Sequence, residues 1–123
     1  MESKINVYEK DGVLIAIMKG EIDNYVTRAY REIIDTKILS NDLKYLVLDF
    51  KDVSFVDSSG IGFIIGRYNL MKKENGIIFL SGLSDYCEKI FMISGIYRLI
   101  KCYKTLDIAK KEMINHESYR IKI

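Results

Sequence analysis

Asp57, Ser58 and Ser59 stand in a row ahead of Gly60, Ile61 and Gly62, and this short run carries the most pointed chemistry in the chain. Its two hydroxyls lie where a strand-and-loop unit hands over to an apolar, helix-like stretch. The first N–H groups of a helix have no intrahelical acceptor, and its positive dipole end favours an anion, so a phosphate on a serine is tolerated there. The same residues also make an ordinary helix start, because Asp or Ser before a periodic apolar run caps the free amides. The spacing alone fits both a cap and a charge switch.

Competing chemistries lack parts. A G-x-G-x-x-G phosphate cradle starting at Gly60 needs glycine at position 65, where Ile65 stands, and no Gly-Lys-Ser/Thr follows. A G-x-S-x-G nucleophile elbow needs glycine at 56 or 57, which are Val56 and Asp57. Its general base would have to be His116, the single histidine, which lies in a polar stretch and is expected to be solvated. Asp23 and Asp57 both precede predicted helices, and capping accounts for each more simply than paired acid–base catalysis, although Asp23 can share a recognition face with the serines. Tyr25, Arg67 and Tyr68 flank these acids with side chains enriched in protein interfaces. Cys87 and Cys102 have no second pair to complete a zinc ribbon or a CxxC site, so two reduced, partly buried thiols are expected and neither a metal nor a cofactor.

The 123 residues suffice for one domain with a real core, and 49% hydrophobic with 29% charged is ordinary globular composition. A formal charge of +2 is mild and the basic residues are scattered, which gives no support to nucleic-acid binding. No apolar run reaches the roughly 18 residues of a membrane span, and Met1-Glu2-Ser3-Lys4 lacks the pattern of a secretory signal, so a soluble, cytoplasmic protein without membrane contact is expected.

The elements that must position the serines follow from pattern. Strands on either side of Asp11-Gly12, the second being Val13–Met18, read as a hairpin with a type I′ turn. Gly20-Glu21-Ile22-Asp23 breaks the apolar run, and Asp23 is placed to cap a helix over about 24–39, with Val26, Tyr30, Ile33, Ile34 and Ile38 facing the core. Tyr45–Phe50 reads as a buried central strand, followed by a 51–57 connection. A second helix is predicted from Ser58 to about Lys73, apolar through Ile61, Ile64, Ile65, Tyr68 and Met71, with a left-handed stop at Asn75-Gly76. Its Gly62 and Gly66 share one face and invite close approach, by the protein's own sheet or by a partner's surface. Ile77–Leu80 is the next strand, Ser84 caps a third helix that ends at Ser94-Gly95, and Leu99–Cys102 is a last short strand. Thr105 caps a fourth helix to about Ile114, and residues 117–123 are either an edge strand or a frayed end. The predicted fold is a single α/β domain over 1–116: a mixed sheet of four or five strands, antiparallel at the N-terminal hairpin and parallel through later crossovers, packed with about four helices.

Five collinear blocks resemble the sporulation-type anti-sigma factor antagonists of the STAS domain family. They are Gly20-Glu21-Ile22-Asp23, Val47-Leu48-Asp49-Phe50, the segment from Ser54 to Gly62, Ile64-Ile65-Gly66-Arg67-Tyr68, and the segment from Ile90 to Ile96. The resemblance implies a non-catalytic switch whose Ser58, directly after the aspartate, is phosphorylated by an anti-sigma factor that is itself a serine kinase. The unphosphorylated form would bind that kinase and release the sigma factor, and a PP2C-type serine phosphatase would restore the serine. It also implies a partner-binding surface of Asp23, Asp57, Ser58, Ser59, Gly60, Ile61 and Gly62. Asn24 and Tyr25 stand where the sporulation relatives often carry histidines. Another use of the same scaffold, in a stress-response switch or a lipid-transport subunit, is the alternative.

Overall fold

The computed structural model describes the backbone of residues 2–122 and the side chains of residues 2–116. Five strands form one sheet in the order β1-β2-β3-β4-β5: β1 Lys4–Lys10, β2 Val13–Ile22, β3 Tyr45–Val56, β4 Ile77–Ser81 and β5 Lys101–Tyr103. β1 runs antiparallel to β2, and every later neighbour is parallel, as predicted. The hairpin turn is made by Asp11 and Gly12, both at positive φ as a type I′ turn requires.

Helices α1 (Thr27–Ser40), α2 (Ser58–Lys73) and α3 (Asp85–Ser94) pack on one face of the sheet, and α4 (Leu106–Lys122) on the other. The larger core lies on the three-helix side, where Leu46, Leu48 and Phe50 of β3 meet Ile34, Ile64 and Phe91. Ala109 and Met113 of α4 cover Val13, Ile15 and Val47 on the opposite face. This alternation along β2 and β3, with both faces covered, is why those strands read as nearly continuous apolar runs.

The strands outlast their sequence signal at the end that carries the site. β2 does not stop at Gly20. That residue takes φ +81 in a stretch of shifted register, and the strand continues to Ile22. β3 likewise runs on to Val56 through the stretch expected to be a connection, with Val53 and Val56 buried and their neighbours exposed. The register shifts disrupt the period-two alternation that would have announced these residues as strand.

α1 begins at Thr27 and not at Asn24, and Ile33, predicted to face the core, is exposed. α4 carries residues 117–122 as helix, in place of the edge strand or frayed end, because neither glycine nor proline interrupts the sequence there. Ile123 and the side chains of Tyr119 and Ile121 lie outside the described residues. His116 is not solvated: it is half-buried, with its ring edge-on to Tyr45 at 6.4 Å.

Candidate functional site

β2 and β3 end side by side, with Ile22 registered against Val56. Asp23 and Asp57 are therefore the residues that leave two adjacent parallel strands at the same edge of the sheet. The Asp57 N–H donates to the Ile22 carbonyl at 3.3 Å, which extends the pairing by one more bond before the chain turns into α2.

Asp57 is the N-cap of α2, in extended conformation, and its Oδ1 accepts from the Gly60 N–H at 2.9 Å. The first helical bond follows, from the Ile61 N–H to the Asp57 carbonyl at 3.0 Å. Ser58 and Ser59 then occupy the first two helical positions, whose amides have no acceptor within the helix. The Ser58 side chain is exposed, Ser59 is half-buried, and Gly62 is exposed one turn further on. A carboxylate cap and an exposed hydroxyl thus sit on consecutive residues, and the capping reading of Asp57 coexists with an accessible Ser58.

Close backbone approach occurs in α2, but at Gly60 and not on the Gly62 and Gly66 face. A Cβ on Gly60 would come within 2.6 Å of both the Ile22 carbonyl oxygen and Val56 Cγ1, whereas one on Gly62 or Gly66 would meet nothing within 4 Å. The glycine that seats the helix start is therefore Gly60. The other two leave open space.

Asp23 does not cap α1. Its Oδ1 accepts from the Tyr25 N–H at 2.9 Å and its carbonyl accepts from Val26 and Thr27, forming a turn ahead of a helix whose N-cap, Val26, offers no side-chain acceptor. Tyr25 projects from this turn 94% exposed. Arg67, in contrast, is buried: its Nε lies 2.8 Å from Asp35 Oδ1 on α1 and its Nη1 donates to the Phe63 carbonyl, so it ties α1 to α2. Burial lowers the Arg67 pKa and raises that of Asp35, with their mutual attraction opposing both shifts.

Tyr86, in the first turn of α3, was not singled out in the sequence. Its hydroxyl donates to the Val56 carbonyl at 3.3 Å and faces the Val56 N–H at 3.4 Å, while its ring stacks on Phe55 at 6.3 Å. It fastens α3 to the end of β3 one residue before Asp57. A tyrosine just after the Ser84 cap was the only available signal. Among the described residues no group of three or more His, Cys, Asp or Glu side chains is placed to hold a metal ion, and no helix is long and apolar enough to cross a membrane.

A five-stranded sheet with β1 alone antiparallel, and an acid-capped serine pair opening the helix after the central strand, define a STAS-type domain. Residues 4–109 match the STAS domain family, and the chain belongs to it. It is 29% identical over 103 residues to the anti-sigma F factor antagonist of Paenibacillus polymyxa, covering 84% of this chain and 88% of that one. It is 30% identical over 101 residues to the anti-sigma-B factor antagonist of Bacillus subtilis (strain 168), covering 81% and 90%. Its fold is similar to that of the anti-sigma factor antagonist SpoIIAA in its unphosphorylated form, with TM-score 0.81 at 23% identity over 91% of this chain and 97% of that one. SpoIIAA in its phosphorylated form gives TM-score 0.73 at 24% identity over 89% and 98%.

Proposed function

We propose that this chain is an anti-sigma factor antagonist controlled by phosphorylation of Ser58. The observation that carries the proposal is the exposed Ser58 side chain directly after the Asp57 cap, on a helix start seated rigidly against β2 and β3 through Gly60. The names of its curated relatives and the fold shared with both forms of SpoIIAA support the same reading.

In the unphosphorylated state the surface of Asp23, Asp57, Ser58, Ser59, Gly60, Ile61 and Gly62 docks on an anti-sigma factor that is a serine kinase, and the sigma factor is released. Gly60 contributes by placement, since it is buried, while the exposed members make contact. Phosphorylation adds about −1.5 to −2 charge and three acceptor oxygens beside the Asp57 carboxylate. The added charge crowds the docking surface and weakens the complex without a rearrangement of the core, since Ser58 is exposed at the first position of α2. A PP2C-type serine phosphatase resets the switch. The chain itself performs no catalysis.

Incubation with the kinase and ATP, followed by intact mass and peptide mapping, tests the assignment. One phosphate on the Ser58 peptide is expected, with none added to Ser58→Ala. Ser58→Asp is expected to bind the kinase at least about tenfold more weakly than the unmodified protein, with its melting temperature nearly unchanged. Equal labelling of wild type and Ser58→Ala would move the site away from Ser58.

A further inference from the structure

Beside the serines, α1 and α2 flank an open groove of about 580 Å³. From α1 it is lined by Thr27, Arg28 and Arg31, and from α2 by Ser59 and the Gly62 and Gly66 face, with Arg67 at its inner end. Three arginines and no carboxylate line it. Their balance of charge is uneven. Arg67 is matched by Asp35 behind the wall, and Arg28 reaches Glu32 only at 3.8 Å between two well-exposed side chains. Arg31 makes no ion pair within 4 Å among the described residues; at longer range it is attracted by the Asp35 carboxylate and opposed by the charge of Arg67.

Both helices that form the groove also start beside it. α1 has neither an acidic residue in its first turn nor a side-chain cap, so its positive end adds to the arginines, whereas the positive end of α2 is met by the Asp57 carboxylate. Gly62 and Gly66 add no side chain to the α2 wall between Ser59 and Arg67, a use for two glycines whose Cβ positions meet nothing within 4 Å. Phe63 forms an apolar floor, with the Arg67 guanidinium 5.3 Å from its ring centroid.

We infer that this groove receives an acidic segment of the kinase partner, carboxylate side chains set against Arg28 and Arg31, and thereby extends the docking surface from Ser58 across to α1. The inference rests on the proposed function, since it names the recognition chemistry of that same partner. Charge complementarity selects the occupant, and continuity selects its source: Ser59 and Gly62 belong at once to the groove and to the proposed docking segment. An acidic partner segment also explains how one phosphate can be so effective. Asp57 already sets one carboxylate at the start of α2, and a phosphoserine at position 58 adds up to two further negative charges there, opposing the attraction of the groove arginines for carboxylates.

The test measures binding of the full chain to the kinase at low and high salt for wild type, the double variant Arg28→Gln with Arg31→Gln, and Gly66→Leu. The arginine variant removes charge, and the leucine fills the groove without changing charge. At low salt the arginine variant is expected to bind about tenfold or more weakly, chiefly through slower association, and to lose most of its salt dependence. Gly66→Leu is expected to bind about tenfold more weakly with its salt dependence retained. If wild type binds and is phosphorylated on Ser58 while both variants bind within twofold of it, the groove assignment is wrong and the switch stands. If wild type does not bind the kinase, the switch and the groove assignment fall together. Separate titrations of the isolated protein with inorganic phosphate and ATP, read on the Gly62 and Gly66 amides, supply the remaining arm. Micromolar binding of either would overturn the acidic segment in favour of a small anion.

Discussion

Gly60 and Ile22 touch so closely that the α carbon of the first has no room for a methyl group: a Cβ there would lie 2.6 Å from the Ile22 carbonyl oxygen. The contact is with backbone of a paired strand, which cannot swing aside as a flexible side chain can. Gly60→Ala must push the start of α2 off the sheet, and overpacking of this kind costs about 1–3 kcal/mol. Gly62→Ala meets nothing and replaces a helical glycine, so it should stabilise by up to about 1 kcal/mol. Urea denaturation of the two variants checks this, and opposite signs are expected. Two variants of equal stability would show that the glycines are interchangeable and that α2 is not seated through position 60.

The cap on α2 can be separated from the charge of Asp57. Its Oδ1 satisfies the Gly60 amide, and loss of such a bond costs about 1 kcal/mol. Asp57→Ala should therefore lower stability by about that amount, while Asp57→Ser, which keeps an acceptor and discards the charge, should unfold close to wild type. Thermal melts of the two variants side by side decide it. If serine is as costly as alanine, the carboxylate acts on the helix dipole more than through its hydrogen bond.

Much of this arrangement is local and was therefore legible in the residues. Asp57 and Asn75 bracket α2 with a cap and a left-handed stop, and the helix bounds follow from them. Asp11-Gly12 specifies the hairpin for the same reason, and Ser84 and Gly95 bracket α3. What escaped depends on strand pairing. The register shifts between β2 and β3 carry both strands past their apolar runs, so Asp23 leaves the sheet in a turn of its own instead of capping α1. Arg28 and Arg31 come beside the serines because α1 packs on α2, and Tyr86 reaches the end of β3 because α3 packs on that strand. Each sits in an ordinary amphipathic helix, and no short-range pattern marks them out.

Arg67 and Arg28 both belong to ion pairs between α-helical side chains, yet their stability effects should differ widely. Arg67 is 6% exposed against Asp35 at 26%, whereas Arg28 and Glu32 are 81% and 67% exposed. Removing one partner of a buried pair strands the other, and with Asp35 partly in contact with water the cost of Arg67→Gln should be about 2–3 kcal/mol, below that of a fully enclosed pair. Arg28→Gln should change stability by less than about 0.5 kcal/mol, because an exposed pair in an i, i+4 helical arrangement contributes little. Adding Asp35→Leu to Arg67→Met should recover much of the loss, since apolar packing substitutes well for a buried pair. Chemical denaturation of the four proteins checks the order, and similar losses from the two single arginine variants would contradict it.

Asp49 gives the fold a pH dependence of predictable sign. It lies in β3 at 5% exposure, with its Oδ1 accepting from the Ser81 hydroxyl at 2.7 Å. Burial pushes its carboxyl above the ordinary range, with the bonds from Ser81 and the Lys51 amide opposing the rise. The folded protein therefore keeps this proton to a higher pH than the unfolded chain does. Between the unfolded value, about 3.9, and the raised folded value, the native state binds more protons, so this group makes stability fall as pH rises. Below that window both states are protonated and the penalty is absent; above it the penalty is complete. Asn at this position can still accept from Ser81 and never ionises. The stability of Asp49→Asn relative to wild type should be least favourable near pH 3.5, increase through the window, and level off above it. Because carboxylates that are not coupled to Asp49 cancel between the two proteins, the difference between their urea midpoints, taken at half-unit steps up to about pH 7.5, reports Asp49 together with its repulsion from Asp52. A difference that is flat, or that shrinks as pH rises, would show that the Ser81 and Lys51 bonds outweigh the cost of burying the charge.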